Sequence, residues 1–180
     1  KDPETKKSKI QESLAYSTAG FKLAIRGMSS INVGLGNYRH LGVVQYNVGR
    51  RLNRLYELTG NKEDLRKAAK TLADAAKLFQ KIDLKGRIAE CHWKAAQTYD
   101  ALGEHLKAAE NFDLASDNYR GVSERVSQIK NFYLEHASYM AAWSEIEKAR
   151  HHHDKQEYGL AKGHYEKAAI MHKSLKHWSY

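Results

Sequence analysis

The stretch from Ala89 to Arg120, AECHWKAAQTYDALGEHLKAAENFDLASDNYR, decides the fold class. Apolar residues recur in it every three or four positions, which places them on one side of an α-helix. Gly103 separates two such runs, and a glycine after a helix favours a left-handed turn. The stretch therefore predicts two helices joined as a hairpin. The first run begins one residue before the stretch and comprises Ile88, Cys91, Ala95, Tyr99 and Leu102; the second comprises Leu106, Ala109, Phe112, Ala115 and Tyr119.

The second helix of this hairpin carries a phrase that occurs three times in the chain. The phrase begins with an alanine and has a large side chain four positions later. A second alanine follows three positions after the large side chain, and a residue with a ring follows four positions after that. Small residues let a helix approach its neighbour closely, and the large residue between them fills the groove beside it. We predict three hairpins, at residues 38–82, 84–120 and 122–178. The copies are Ala68, Leu72, Ala75 and Phe79; Ala108, Phe112, Ala115 and Tyr119; and Ala161, Tyr165, Ala168 and His172.

The rest of the chain follows the same helical spacing. Residues 1–37 predict an N-terminal helix and a loop at 29–37, where Ser, Asn and Gly cluster. Gly60 is the expected end of the first helix of the first hairpin. The first helix of the third hairpin is predicted to begin near Ser123 and to continue to about His153. We find no alternating strand, so the prediction is one all-α domain of about seven antiparallel helices.

The middle hairpin resembles the tetratricopeptide repeat (TPR) family. Trp93 lies one position past that family's tryptophan, and Arg120 replaces the closing proline. The first alanines of the three copies lie 40 and 53 residues apart, against about 34 in the family. The longer spacing is similar to the elongated repeats of the soluble NSF attachment protein class or of large archaeal repeat proteins. The matching residues are the tyrosine, glycine, alanine, aromatic and alanine at Tyr99, Gly103, Ala108, Phe112 and Ala115.

The resemblance implies a short right-handed superhelix whose first helices line a concave groove. A protein or peptide segment is the ligand that such a scaffold implies, with no catalysis and no cofactor. The Lys and Asn clamp that some of these domains place on a peptide carboxylate is not present. The residues implied for the groove are Arg50, Asn53, Arg54 and Glu57 in the first hairpin, Glu90, Trp93, Gln97 and Asp100 in the second, and Trp143, Ile146, Arg150 and His153 in the third.

Charge is distributed unevenly along the 180 residues, which carry a formal net charge of +9. Residues 1–70 hold 14 basic and 6 acidic side chains, so almost all of the excess is there. Such a basic segment attracts phosphates or an acidic protein surface. The alternative function is therefore nucleic-acid (RNA) binding through this segment, and a regulatory module of a larger enzyme is a third. Self-association is left open.

Catalytic and metal-binding patterns are weak. Cys91 lies on an apolar stripe, where a thiol is usually an inert small side chain. Three adjacent histidines, His151, His152 and His153, diverge by about 100° each on a helix, so they cannot all bind one ion. We predict no metal site, no cofactor and no enzymatic activity.

The compartment is inferred from what the sequence contains. No run of 18 apolar residues is present to cross a membrane. A single cysteine and the lack of a signal-peptide core predict a reducing cytoplasm and no membrane partner. Because the chain begins with Lys1, we expect it to be a fragment of a larger protein.

Overall fold

The structure, a computed structural model, describes residues 2–28 and 35–175 of the chain. This described part contains no strand, and its seven α-helices confirm the prediction of an all-α, seven-helix fold. None of its helices is both long enough and apolar enough to span a membrane. The helices are α1 (Pro3–Met28), α2 (Leu35–Thr59), α3 (Lys62–Gln80), α4 (Lys85–Leu102), α5 (His105–Ser123), α6 (Lys130–Asp154) and α7 (Tyr158–Ser174), with a 3₁₀ turn at Ser127–Ile129.

The chain divides into two compact units, Lys1–Leu84 and Lys85–Tyr180. In the first unit, α1 packs on α2 and α2 packs on α3. In the second unit, α4 packs on α5, α5 on α6, and α6 on α7. Because the connections within the pairs α2–α3, α4–α5 and α6–α7 are short, the helices of each pair run antiparallel.

Each of these three pairs turns through a residue with positive φ. Gly60 has φ of +69° and Gly103 has φ of +77°, a conformation that glycine adopts without steric cost. The third turn uses Gln156, with φ of +63°, where a side chain is strained. In that turn the Glu157 N–H donates to the His152 carbonyl at 2.9 Å.

The α2–α3 pair is held close by glycines that face the large residues of the repeated phrase. A Cβ atom on Gly49 would lie 2.7 Å from Cγ of Leu72, and one on Gly42 would lie 2.7 Å from Cε1 of Phe79. Both Leu72 and Phe79 are buried. The large side chains of α3 therefore occupy the space that the missing side chains of α2 leave.

The core of the second unit is built from α4, α5 and α6. Phe112 is only 3% exposed and its ring stacks on Trp143 of α6 with centroids 6.1 Å apart. The corresponding Tyr165 of α7 is 42% exposed, although Ala161 and Ala168 beside it are buried. The buried cluster comprises Ala89, Ala96, Phe112, Ala115, Tyr119, Ala137 and Met140.

Two predicted boundaries differ from the structure. Residues 29–34 of the predicted loop lie outside the described residues, but α2 already begins at Leu35, so residues 35–37 are helical. A glycine costs a helix only about 1 kcal/mol, which packing elsewhere along α2 outweighs. The prediction that a helix starts near Ser123 is wrong, because α5 ends there and α6 begins at Lys130. Ile129, an apolar residue of the connection before α6, is 47% exposed.

Candidate partner-binding surface

Two helices of the second unit each place a half-buried tryptophan against the same buried cluster. These residues are Trp93 of α4 and Trp143 of α6, and each is half-buried. Tyr139 contacts Trp143 edge to face at 6.2 Å between centroids. Amphipathic rings fixed in this way can contact a partner without losing much conformational freedom. We call this region the α4–α6 surface, and define it by Glu90, Trp93, Gln97 and Asp100 of α4 with Tyr139, Trp143, Ile146 and Arg150 of α6.

An ion pair joins the two helices at one end of this surface. Arg150 Nη1 lies 2.7 Å from Asp100 Oδ1 and 2.9 Å from Glu147 Oε1. Glu147 is completely buried, and its Oε2 lies 2.7 Å from Nδ1 of His105 at the start of α5. A buried carboxylate is stable only with such partners. The cluster therefore ties α4, α5 and α6 together.

The same cluster has a composition that metal ions accept. One ligand atom from each of Asp100, His105 and Glu147 lies within 4.8 Å of the others. However, the guanidinium of Arg150 already donates to both carboxylates. Arg150 thus supplies the cation, and the arrangement serves as an ion-pair network across three helices.

The remaining polar residues of the α4–α6 surface interact along their own helix. Arg87 Nη1 lies 2.7 Å from Glu90 Oε2, and Lys94 Nζ donates to Gln97 Oε1 at 2.8 Å. Lys94 Nζ also lies 5.8 Å from the centre of the Trp93 ring. Exposed contacts of this kind contribute little to stability. These side chains can therefore exchange their partners for those of a ligand at small cost.

The four groove residues predicted on α2 belong to the first unit. Arg54 pairs with Glu57 one helical turn away, and Arg50 lies over the ring of Tyr46 at 5.9 Å. Asn53 is half-buried. Neighbouring Arg51 donates to Ser17 Oγ of α1 at 2.8 Å. All three of these arginines thus already contact side chains of this unit.

The thiol of Cys91 is buried, as the sequence predicted. Desolvation by burial raises its pKa to about 12, so it remains a protonated thiol at neutral pH. A nucleophilic cysteine needs the opposite shift. The ring of the adjacent His92 points to Asn111 Oδ1, at 2.9 Å from Nδ1.

Of the three adjacent histidines, His151 and His152 contact each other edge to face, at 5.5 Å between ring centroids, whereas His153 points elsewhere. His152 Nδ1 lies 2.6 Å from Glu157 Oε2, whereas the ring of His153 contacts Tyr158. Of the three, His152 also faces a histidine of another helix, His164 of α7. The spacing of residues within one helix could not predict this pairing, because the two residues meet only when α7 folds back on α6.

Comparisons with known proteins returned no relative of this chain. No family model matches it, and neither the curated proteins nor the solved structures that were searched include a match.

Proposed function

We propose that the chain is a TPR-like helical-repeat scaffold that binds a protein or peptide segment on the α4–α6 surface. The observation that carries the proposal is the convergence of Trp93 and Trp143, from two helices, on one buried cluster. Partly buried aromatic residues are frequent anchors in protein interfaces. The three packed helix pairs and the repeated alanines support the TPR-like part of the proposal.

The surface suits a segment that combines apolar and charged side chains. Ile146 and the two tryptophans offer apolar contact, while Glu90 and Arg150 border them with opposite charges. A helix or an extended peptide could present complementary groups along α4 and α6. The cytoplasm, where a buried free thiol such as Cys91 stays reduced, is the compartment that we propose.

Photo-crosslinking tests this surface directly. The photoreactive residue p-benzoylphenylalanine is placed at Gln97, which is exposed on α4, or at Lys70, which is exposed on α3 of the first unit. In extracts of source cells we expect adducts at Gln97 that a protease removes and a nuclease leaves intact, and we expect the Lys70 chain not to form them. Excess unlabelled chain should compete, and the Trp93→Ala chain, checked for folding by circular dichroism, should compete poorly.

Other outcomes of this experiment would overturn the proposal. Identical adducts from Gln97 and Lys70 would mean nonspecific contact, and no adduct at Gln97 would remove the surface. Nuclease-sensitive adducts that weaken steeply with salt would favour nucleic-acid binding instead, because each neutralised phosphate releases counterions.

A further inference from the structure

The exposed side of α3 carries a row of lysines. Lys67, Lys70, Lys77 and Lys81 follow one another at intervals of three, seven and four positions, which places them on one side of the helix. Lys81 is the first residue after α3 and keeps a right-handed helical backbone. All four are exposed, and at about 1.5 Å per residue the row is about 20 Å long. We call these four residues the lysine row.

Acidic side chains neutralise only part of this side of α3. Glu63 and Asp74 each pair with the basic residue three positions further on, at 3.4 and 3.3 Å. Within the described residues, no ion pair involves Lys67, Lys70 or Lys81. Three positive side chains of the row are therefore available to a ligand.

The repeated phrase does not require these charges. Counted from the first alanine of each copy, Lys70 and Lys77 of α3 correspond to Glu110 and Asp117 of α5. The alanines and the large residues are buried in both copies. The two helices thus keep the same packing while their exposed sides carry opposite charges, so the lysine row is a feature of α3 alone.

The rest of the first unit adds to the positive charge of the row. Its described residues, 2–28 and 35–84, hold 15 basic and 8 acidic side chains, whereas residues 85–175 hold 13 of each. The summed field of such an excess attracts anions toward the surface. The charge of the first unit therefore suits a polyanion.

The form of the row narrows the class of polyanion. A line of cations about 20 Å long matches regularly repeated phosphates better than it matches one phosphate group. Helix α3 has no exposed large apolar side chain, so it offers nothing to insert into a lipid surface or to stack on an unpaired base. A nucleic-acid duplex contacted at its backbone fits these properties.

The types of side chain favour an RNA duplex over a DNA duplex. Lysine contacts phosphate as a point charge, and such contacts carry no sequence information. Arg66 is the one arginine of α3, and Glu63 holds it. Proteins that read DNA bases in the major groove use arginine, asparagine or glutamine, whereas double-stranded RNA is recognised mostly through its shape and backbone.

We propose that the lysine row binds the phosphate backbone of double-stranded RNA without reading its base sequence. This activity is separate from the proposed binding of a protein segment, because α3 belongs to the first unit and the α4–α6 surface belongs to the second. Either proposal can fail while the other stands.

Fluorescence anisotropy of the purified full chain with a labelled RNA duplex of about 16 base pairs tests the row. Two duplexes of unrelated sequence should bind equally well. For about four neutralised phosphates, a fourfold rise in salt should weaken binding about a hundredfold. Lys70→Gln should reduce the slope of that salt dependence by about 1. Combining Lys67→Gln, Lys70→Gln and Lys81→Gln should weaken binding at least about tenfold at low salt.

The matched control removes the same charge from another helix. Lys162→Gln, Lys167→Gln and Lys173→Gln in α7 should together leave binding within about twofold of the parent chain, because distant charges are screened. Circular dichroism checks that both triple variants are folded. If the α3 variant is not folded, the salt slope of Lys70→Gln decides the outcome.

Four results would overturn the proposal. The first is no binding of duplex RNA at low salt, and the second is an unchanged salt slope in Lys70→Gln. The third is an equal loss of affinity in the two triple variants, which would mean that net charge alone attracts the RNA. The fourth is tighter binding of single-stranded RNA, duplex DNA or phosphatidylserine vesicles under the same conditions, since each of these should bind no more tightly than duplex RNA.

Discussion

Helices α5 and α7 carry the same repeated phrase but differ in how much of it is covered. Their alanines are equally buried, at Ala108 and Ala115 in one helix and at Ala161 and Ala168 in the other. The large residue between the alanines is 3% exposed in α5, where it is Phe112. It is 42% exposed in α7, where it is Tyr165. Helix α6 packs on both α5 and α7, but within the described part of the second unit no further helix packs extensively on α7.

The difference teaches that the alanines and the large residue of the phrase are covered independently. The alanines are buried in both copies. In α5 the large residue meets the following hairpin through Trp143. Its burial therefore depends on the helix that comes next, and the residue alone does not determine it.

The largest expected effect compares this pair of large residues. Phe112→Ala should lower the free energy of unfolding by about 3–5 kcal/mol, because it leaves a cavity against Trp143. Tyr165→Ala, at the equivalent position, should cost less than about 1 kcal/mol, because the ring is exposed. Urea unfolding monitored by circular dichroism measures both. Equal losses of unfolding free energy would mean that the large residues of the two helices are buried to the same extent.

The next largest difference is expected between an ion pair that includes a buried carboxylate and an exposed ion pair on α7. Arg150→Ala leaves the buried Glu147 with His105 alone, and because Arg150 is itself 40% exposed, we expect a loss of about 1–3 kcal/mol, the cost of an unpaired buried acceptor. Lys162→Ala breaks an exposed pair with Glu166 on α7, where the distance is 3.7 Å, and should change nothing measurable. Thermal unfolding of the two variants at one salt concentration gives the comparison. A small loss of stability in the Arg150→Ala variant would show that water reaches the Glu147 carboxylate.

The pH dependence of stability tests the packing of α4. Cys91 has a pKa raised by burial from 9.0 to about 12. Below pH 9 the thiol is protonated in both states, whereas between pH 9 and 12 only the unfolded chain releases the proton. Stability should therefore fall as pH rises, by roughly 1 kcal/mol per pH unit more than in Cys91→Ala. Parallel curves for the two chains would contradict the burial of this thiol.

The smallest expected effects compare the turns that close the last two hairpins. Gly103→Ala should cost about 1–2 kcal/mol, because its φ is positive while no atom lies within 4 Å of the added Cβ. Gln156→Gly relieves the same strain and should stabilise the chain by up to about 1 kcal/mol, less the entropy of the new glycine. Thermal melts of both variants check the two signs. A destabilised Gln156→Gly would show that the glutamine side chain contributes more than its backbone costs.

Local spacing was sufficient to predict the helical fold. The alanine phrase and the turn glycines at Gly60 and Gly103 depend on residues within a few positions, so one sequence contains the signal. The start of α6 was missed because Val126 and Ile129 continue the apolar spacing through a connection that is not α-helical. Apolar spacing shows which residues could share one face of a helix, but it does not show whether the chain is helical at those positions.

The candidate site was less predictable, because it depends on residues distant in the chain. Asp100 and Arg150 are 50 positions apart, and the resemblance placed both in the groove without indicating that they pair. The role of Glu147 was missed entirely. Its one local signal was its position three residues before Arg150, a spacing that many exposed pairs share.

Amide hydrogen exchange of the intact chain tests most directly whether burial by a neighbouring helix distinguishes the copy of the phrase in α5 from the copy in α7. If α6 covers α5 while the outer side of α7 stays open, amides from Ala108 to Tyr119 should exchange only by global unfolding of the unit. Amides from Ala161 to His172 should exchange at least about tenfold faster, through local opening. Equal protection of the two helices would contradict the account.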